Sequence, residues 1–398
     1  MEPGLVKKTK TCPVCCNSTV HEILNITGVP IFCNVLWHSQ EEARLAPKGD
    51  INLKYCNRCN HVFNSAFDPN QINYNEEYEN SLHFSPQFQE YAFSLAKKLI
   101  EKYHLRNKDI IEIGCGKGHF LKLLCDLGNN RGIGFDPSYE EDRLSKNKEK
   151  SFQVIKEFYS EKFVDYRADM IVCRHVLEHI PAPKDFLNMI HRSIGSKNKT
   201  VLFFEVPNVL YTLRDLGIWD LIYEHCGYFS EYSLNFLFKE CDYIPCHLEV
   251  VFNGQYLCIE ALLKDTFITE KTDENDIKNN VLKYIESFHD QYHHKLYEWE
   301  SKLETFKHQN QKVIIWGGGS KAVTFLNVVN SSELIEYVVD INPHKHDMFI
   351  SASGQRIIPP EYLKQYKPEK IIIMNPIYKK EIQLNLEQLG LNTEVLVV

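Results

Sequence analysis

Asp109-Ile-Ile-Glu112-Ile-Gly114-Cys-Gly116-Lys-Gly118 joins a short apolar run to a turn with glycine at every second position. Such a run reads as a buried strand, and the turn leads into a helix around Phe120–Leu124. Glycine has no side chain to hold a ligand away from the backbone, so the turn is a place where main chain can approach a bound molecule closely. Eighteen residues after Gly118, Asp136 closes the next apolar run, Gly132–Phe135. A carboxylate at that point can accept hydrogen bonds from both hydroxyls of an adenosine ribose. Two further runs, Met170–Cys173 and Val201–Phe204, alternate with helical stretches. Alternation of this kind predicts an α/β fold with a mostly parallel sheet covered by helices.

The cofactor class is argued from charge. A dinucleotide such as NAD competes for any glycine turn, but Glu112 stands just ahead of this one and would repel a pyrophosphate. A cationic cofactor without pyrophosphate suits it better, and S-adenosylmethionine, with its ammonium and sulfonium groups, fits. EIGCGKG, GFDPS and DMIVCRHVLEHI, in that order, resemble the class I methyltransferase family over residues 110–206. The resemblance implies that Gly114, Gly116 and Asp136 hold the cofactor, with Glu112 and Gly118 in the same turn and His175 near the adenine or methionine end.

Working outward, 398 residues exceed what one core usually supports. The expected divisions are a zinc-binding module at 1–72, a methyltransferase domain at 73–262, a helical connector at 263–310 and a Rossmann-like α/β domain at 311–398. Ser85 and Pro86 cap a helix whose apolar positions run from Phe88 to Leu99. In the first segment Cys12-Pro-Val-Cys15 and Cys56-Asn-Arg-Cys59 are two knuckles able to offer Zn²⁺ a closed set of four thiolates. A module with little obvious core of its own needs such a staple. A redox role for one pair is the rival reading. A closed four-cysteine site has no open position for chemistry, and Cys16 and Cys33 are left over.

The last segment repeats the strand, glycine turn and helix: Gly317-Gly-Gly319-Ser-Lys-Ala322, with Asp340 ending the following strand, satisfies a dinucleotide fingerprint by itself. Ser320 and Lys321, at a helix start, are candidates for contact with a phosphate.

Two clusters carry the chemistry: Arg174-His175-Val-Leu-Glu178-His179 and Tyr223-Glu224-His225. Both fall in loops beyond strand ends, where α/β sheets bind their ligands. With the two CxxC pairs, the methyltransferase core, the Glu-His pair followed by Phe229-Ser230, VIIWGGGSKAVTFLN and YVVDINPHK, nearly the whole chain resembles the sugar C-methyltransferases that act on nucleotide-linked 4-keto sugars. That resemblance implies enolate formation next to a ketone, with His225 as base, Glu224 assisting it, His179 binding or polarising the substrate and Tyr78 bonding the enolate oxygen. One departure stands out. Similar enzymes often carry Tyr two residues before the Glu of that pair, whereas this chain has Ile222 there and Tyr223 beside the Glu. Transfer to oxygen or nitrogen of a related metabolite is therefore the alternative, and a zinc-bearing interaction scaffold is the non-enzymatic one.

Forty-five basic residues against fifty-three acidic ones leave a charge of -8, the wrong sign for a general nucleic-acid binder. No apolar run reaches membrane-spanning length, and no signal-peptide pattern opens the chain. A cytoplasmic protein without membrane or nucleic-acid partners is expected.

Overall fold

The computed structural model describes residues 11–74, 77–140, 151–195, 199–264 and 274–398, with 274–280 described by backbone alone. In chain order the elements are β1 (Val20–Pro30), α1 (Gln40–Arg44), β2 (Lys48–Cys56), β3 (Val62–Asn64), α2 (Pro86–Tyr103), β4 (Asp109–Ile113), α3 (His119–Gly128), β5 (Arg131–Phe135), β6 (Phe152–Ile155), β7 (Met170–Arg174), α4 (Pro183–Ile194) and β8 (Val201–Pro207). The chain continues with α5 (Val209–Leu213), β9 (Gly227–Tyr228), α6 (Glu231–Glu240), β10 (Tyr243–Val251), β11 (Tyr256–Leu263), α7 (Glu274–His308), β12 (Val313–Trp316), α8 (Ser320–Val328), β13 (Ile335–Val339), β14 (Arg356–Ile358), α9 (Leu363–Tyr366), β15 (Lys370–Ile373), α10 (Lys379–Gln388) and β16 (Glu394–Val397).

The strands form three sheets, ordered β1-β2-β3-β9, β10-β11-β8-β7-β4-β5-β6 and β14-β13-β12-β15-β16. In the second, β8-β7-β4-β5-β6 run parallel, and β11 and β10 add an antiparallel edge. After β4 the chain crosses first to β5 on one side and later to β7 on the other. That reversal opens a crevice beyond the carboxyl end of β4, and it gathers the ends of β4, β5 and β7, which carry Gly114, Asp136 and His175. The third sheet repeats this arrangement around β12, flanked by β13 and β15.

Local chemistry explains the elements. β7 is buried throughout and β8 along six of its seven residues, as strands covered on both faces must be. Helix α2 starts where expected: Ser85 accepts from the Phe88 N–H, Pro86 takes the first turn, and His104 ends the helix in the left-handed region.

The expected boundaries do not separate cores. β9 lies within residues 73–262 yet completes the N-terminal sheet by pairing with β3. Leu24, Ile51 and Leu53 of the N-terminal sheet share one hydrophobic cluster with Trp219, with Phe288 and Trp299 of α7 and with Phe325 of α8. Trp219 and Trp299 pack on Phe325 with ring centroids 4.8 and 5.4 Å apart. The N-terminal segment thus has more core than its sequence suggested, because its neighbours supply most of it. The connector is a single 35-residue helix, and residues 265–273 of that segment lie outside the described residues. No described helix is long and apolar enough to cross a membrane.

Phe325→Ala should cost about 3–5 kcal/mol. Because the core is shared, denaturant unfolding followed by tryptophan fluorescence and by far-ultraviolet dichroism should show one transition shifted together. Two separate transitions, with only one moved, would contradict the shared core.

Candidate active site

The loops after β4, β5 and β7 and those after β12 and β13 line the same cavity, of about 770 Å³. The N-terminal segment adds Asn34, Tyr74 and Tyr78, and the loop before β9 adds Asp220, Ile222 and His225.

On the side of β4, the glycine turn is shaped by contact and by need. Gly114 has φ 70°, and a Cβ there would meet Val176 Cγ2 at 2.1 Å. Gly116 has φ 53°, and a Cβ there would meet nothing within 4 Å, so this part of the turn is open. Asp136 braces it: Oδ2 accepts from the Gly116 N–H at 2.7 Å, and Oδ1 accepts from the Ser138 N–H and Oγ at 2.8 and 2.7 Å. Gly118 is not on the cavity wall; in the left-handed region it turns the chain into α3.

Under the turn lies a set of buried charges. Arg174 donates to Glu205 from Nε at 3.1 Å and from a terminal nitrogen at 2.8 Å, and its guanidinium sits 4.1 Å from the Phe120 ring centroid. Burial alone would raise the Glu205 pKa, but Arg174 and His175 hold it down to about 2. His175 is itself in the left-handed region, φ 54°. Its Nε2 lies 2.8 Å from Glu205 and its Nδ1 3.6 Å from Glu178. Burial disfavours the imidazolium, yet the two carboxylates outweigh it and push the pKa up to about 9, leaving His175 charged at neutral pH. Glu112 is the opposite case. It is 2% exposed, its Oε2 accepts no hydrogen bond, and burial pushes its pKa up to about 8 despite Arg174 nearby.

His179 and His225 face each other with ring centroids 4.9 Å apart. His179 Nδ1 lies 3.0 Å from both the Glu224 carbonyl and the Tyr74 hydroxyl. A carbonyl only accepts, so Nδ1 carries the proton in that bond and Nε2 is the free nitrogen. Glu178, His179 and His225 each bring one ligand atom within 4.8 Å of the others. Glu178 is 1% exposed and, His175 at 3.6 Å aside, its carboxylate has no partner among the described residues. Burial, with His179, His175 and Lys321 adding repulsion, drives the His225 pKa well below its ordinary 6.5.

Glu224 does not serve His225 in this structure. Its carboxylate accepts from the Cys33 N–H at 2.8 Å and interacts with Tyr78, and burial raises its pKa. Tyr78 lines the cavity, with its hydroxyl 3.3 Å from Asn34 Nδ2. Ile222 is on the cavity wall, while Tyr223 is buried elsewhere with its hydroxyl accepting from the Asp68 N–H at 2.9 Å. Cys33, left over in the sequence, is thus the backbone donor to Glu224.

On the side of β12, Asp340 repeats the brace of Asp136: Oδ2 accepts from the Gly318 N–H and Oδ1 from the Asn342 N–H, each at 2.8 Å. Lys345 Nζ donates to the Gly318 carbonyl at 3.1 Å. Lys321, a candidate for a phosphate contact, is ion-paired with Asp220, while Ser320 begins α8 at the cavity wall.

Apart from the cavity, the two cysteine knuckles meet. Cys12 Sγ lies 3.5 Å from Cys59 Sγ and Cys15 Sγ 3.4 Å from Cys56 Sγ, with all four residues buried. Each knuckle is closed by a hydrogen bond four residues long, from the Cys16 N–H to Cys12 O and from the Asn60 N–H to Cys56 O, both 2.9 Å. Cys16 and Asn60 both take the left-handed conformation.

Sequence reasoning missed Tyr74 and Asn34, which come from a segment without regular structure, and the roles of Glu205 and Asp220. Glu205 left a signal, a lone carboxylate inside the apolar run Val201–Val206.

The family described as a methyltransferase domain matches residues 88–245, and that described as a C-methyltransferase C-terminal domain matches residues 265–397. The tRNA U34 carboxymethyltransferase of Campylobacter hominis is 30% identical over 115 residues, which cover 28% of this chain; the chain spans 39% of the length of that relative. Among solved structures, the 1,6-didemethyltoxoflavin-N1-methyltransferase of Burkholderia thailandensis, with bound 1,6-didemethyltoxoflavin and S-adenosylhomocysteine, is 17% identical, covering 45% of this chain and 80% of its own, with a TM-score of 0.36. The magnesium protoporphyrin IX methyltransferase of Synechocystis PCC 6803, with bound S-adenosylhomocysteine, is 16% identical, covering 44% and 84%, with a TM-score of 0.33. The chain therefore carries a methyltransferase domain at residues 88–245 followed by a C-methyltransferase C-terminal domain at residues 265–397.

Proposed function

We propose that the chain is a C-methyltransferase that methylates the carbon next to the ketone of a nucleotide-linked keto-deoxysugar. The observation that carries this reading is the shared cavity: two glycine turns, each after a parallel strand of a different sheet, open onto one space, with His179 and His225 on its wall. Its volume of about 770 Å³ is in the upper part of the usual range for small-molecule sites, enough for a cofactor and an acceptor together.

S-adenosylmethionine, when bound, supplies an electrophilic methyl group on a cationic sulfonium. The residues fit it. Gly116 leaves room above the turn, Asp136 stands where a ribose would lie, and Glu112 is a buried carboxylate short of a partner, which a cationic ligand relieves. His225 is neutral at physiological pH because burial depresses its pKa, so it can take the proton from the carbon beside the carbonyl. An imidazolium then forms in a dry cavity, and the Glu178 carboxylate is close enough to offset its charge. Asn34, which keeps a second N–H beyond the one given to Tyr78, and Tyr78, on turning its hydroxyl from Glu224, are the donors for the developing enolate oxygen. His179, with Nδ1 held by the Glu224 carbonyl, offers Nε2 to a substrate hydroxyl. Glu224 assists by fixing Tyr78 and the backbone at Cys33. Ser320 at the start of α8 and Lys345 suit the nucleotide end. The four cysteines suit a structural Zn²⁺, their 3.4 and 3.5 Å contacts approaching the spacing of a tetrahedron with bonds of about 2.3 Å. Ile222, where similar enzymes carry a phenol, favours O- or N-transfer as the second reading.

Calorimetric titration should show binding of S-adenosylmethionine and none of NAD; the reverse result would move the cofactor to Gly317–Ala322. Incubation with nucleoside-diphosphate-linked 4-keto-deoxysugars should give a product whose new methyl signal in NMR is that of a methyl on carbon, whereas a methoxy or N-methyl shift would establish the second reading.

His225→Ala should lower kcat by about 10²–10⁴-fold with the affinity for S-adenosylmethionine unchanged. Full activity in that variant would remove His225 from the base role.

Glu112 gives a prediction with a definite sign. An acid whose pKa is raised on folding binds more protons folded than unfolded between pH 4.5 and about 8, so its contribution to stability falls as pH rises through that window. Glu112→Gln should therefore stabilise the ligand-free protein at pH 8, by about 1–3 kcal/mol, while weakening S-adenosylmethionine more than S-adenosylhomocysteine, which lacks the sulfonium charge. A lower Tm at pH 8 would show that Glu112 is satisfied by the protein alone.

A further inference from the structure

Glu260 is a buried carboxylate with no part in the site above. It stands in β11 directly across from His247 in β10, and directly paired residues put their side chains on the same face of a sheet. Glu249, two residues beyond His247, falls on that face as well, because side chains alternate along a strand. The register therefore brings an imidazole and two carboxylates together from three positions of one antiparallel pair. Their ligand atoms all lie within 4.8 Å of one another, and His247 Nε2 is 3.5 Å from Glu249 Oε2.

Glu260 is 1% exposed, and its Oε1 accepts no hydrogen bond although its other oxygen is well served. Lys102, at 2.5 Å, and Tyr103 both donate to Glu260 Oε2, and Lys98 donates to Glu249 Oε1. Helix α2 thus takes one oxygen of each carboxylate and leaves the other, Glu249 Oε2 beside His247 and the buried Glu260 Oε1, without a donor from the helix. Outer partners of this kind are what orient the ligands of a metal centre.

We propose that His247, Glu249 and Glu260 form a binding site for a divalent transition-metal ion of the zinc type, separate from the cysteine cluster and from the cavity. Imidazole with carboxylates selects zinc or cobalt over calcium or magnesium. Bonds of about 2.0–2.2 Å require ligand atoms closer than the present 4.8 Å limit by no more than a side-chain adjustment. The ion would pin the β10–β11 edge to α2. The site stands independently of the methyltransferase reading.

The test uses the full-length protein dialysed against micromolar ZnCl₂ and then analysed for zinc per chain, beside His247→Ala and Glu260→Gln. His247 is partly exposed and Glu260→Gln keeps its shape, so both variants should fold. Wild type should hold one zinc more than either variant, and added zinc should raise the Tm of wild type further than that of either variant. Titration with Co²⁺ should give weak visible bands of a nitrogen and oxygen ligand set that both variants lose. The difference between proteins carries the result, whatever the cysteines bind. Equal zinc in wild type and variants, or a Co²⁺ spectrum that survives both substitutions, overturns the proposal.

Discussion

The Arg174–Glu205 ion pair is the interaction on which the cavity's construction depends. Both partners lie at the carboxyl ends of buried strands, and Glu205 has no exposed surface. A pair placed this deep gains little over apolar packing of the same volume, but loss of either partner leaves an uncompensated charge worth about 3–5 kcal/mol. Glu205 does more than neutralise Arg174. It also holds the His175 ring, accepts from Tyr91 of α2 and meets Cys258 of β11. One carboxylate therefore ties β7, β8, β11 and α2 together beneath the glycine turn. His175 can keep its left-handed backbone, disfavoured for a side-chain-bearing residue, because these contacts fix it.

The second and third sheets use one device twice. In each, the acid after the second strand folds back onto a backbone N–H of the glycine turn after the first, and its other oxygen takes the N–H two residues on. The differences between the copies lie in charge. Beneath the first turn sits Glu112, buried with one carboxylate oxygen lacking a partner; beside the second, Lys345 donates to the turn itself. The first turn thus has a carboxylate oxygen open to a cationic partner, whereas the second has its acid and its lysine already paired, and both turns face a single space.

Much of the architecture was legible because it rests on short-range rules. Short apolar runs located β4, β5, β7, β8 and β12 to within three residues at either end, β4 and β12 each running into a glycine turn, and Ser85-Pro86 located the start of α2. The two CxxC pairs were legible as partners because four thiols within one segment have few other reasons to cluster. The boundaries were less legible. β9 is two residues long and joins a sheet whose other strands lie more than 150 residues earlier, and no local pattern announces such a pairing. The shared core escaped for the same reason: Trp219, Trp299 and Phe325 each look like the core of their own segment.

The site shows where adjacency in sequence misleads. Glu224 and His225 are neighbours, and a carboxylate beside an imidazole invites the reading that one orients the other. Backbone direction decides otherwise. The Glu224 side chain leaves toward Cys33 and Tyr78, and what it offers the histidine pair is its carbonyl, on His179. The carboxylate that does reach His225 is Glu178, 47 residues earlier. It is delivered by a turn after β7 and left without a strong partner in a cavity where an imidazolium would otherwise be costly. A neutral, depressed histidine is a poor place to leave a proton unless a counter-charge waits nearby. In the proposed reaction the counter-charge would therefore come from the spacing of Glu178 from His225, rather than from the Glu-His dipeptide.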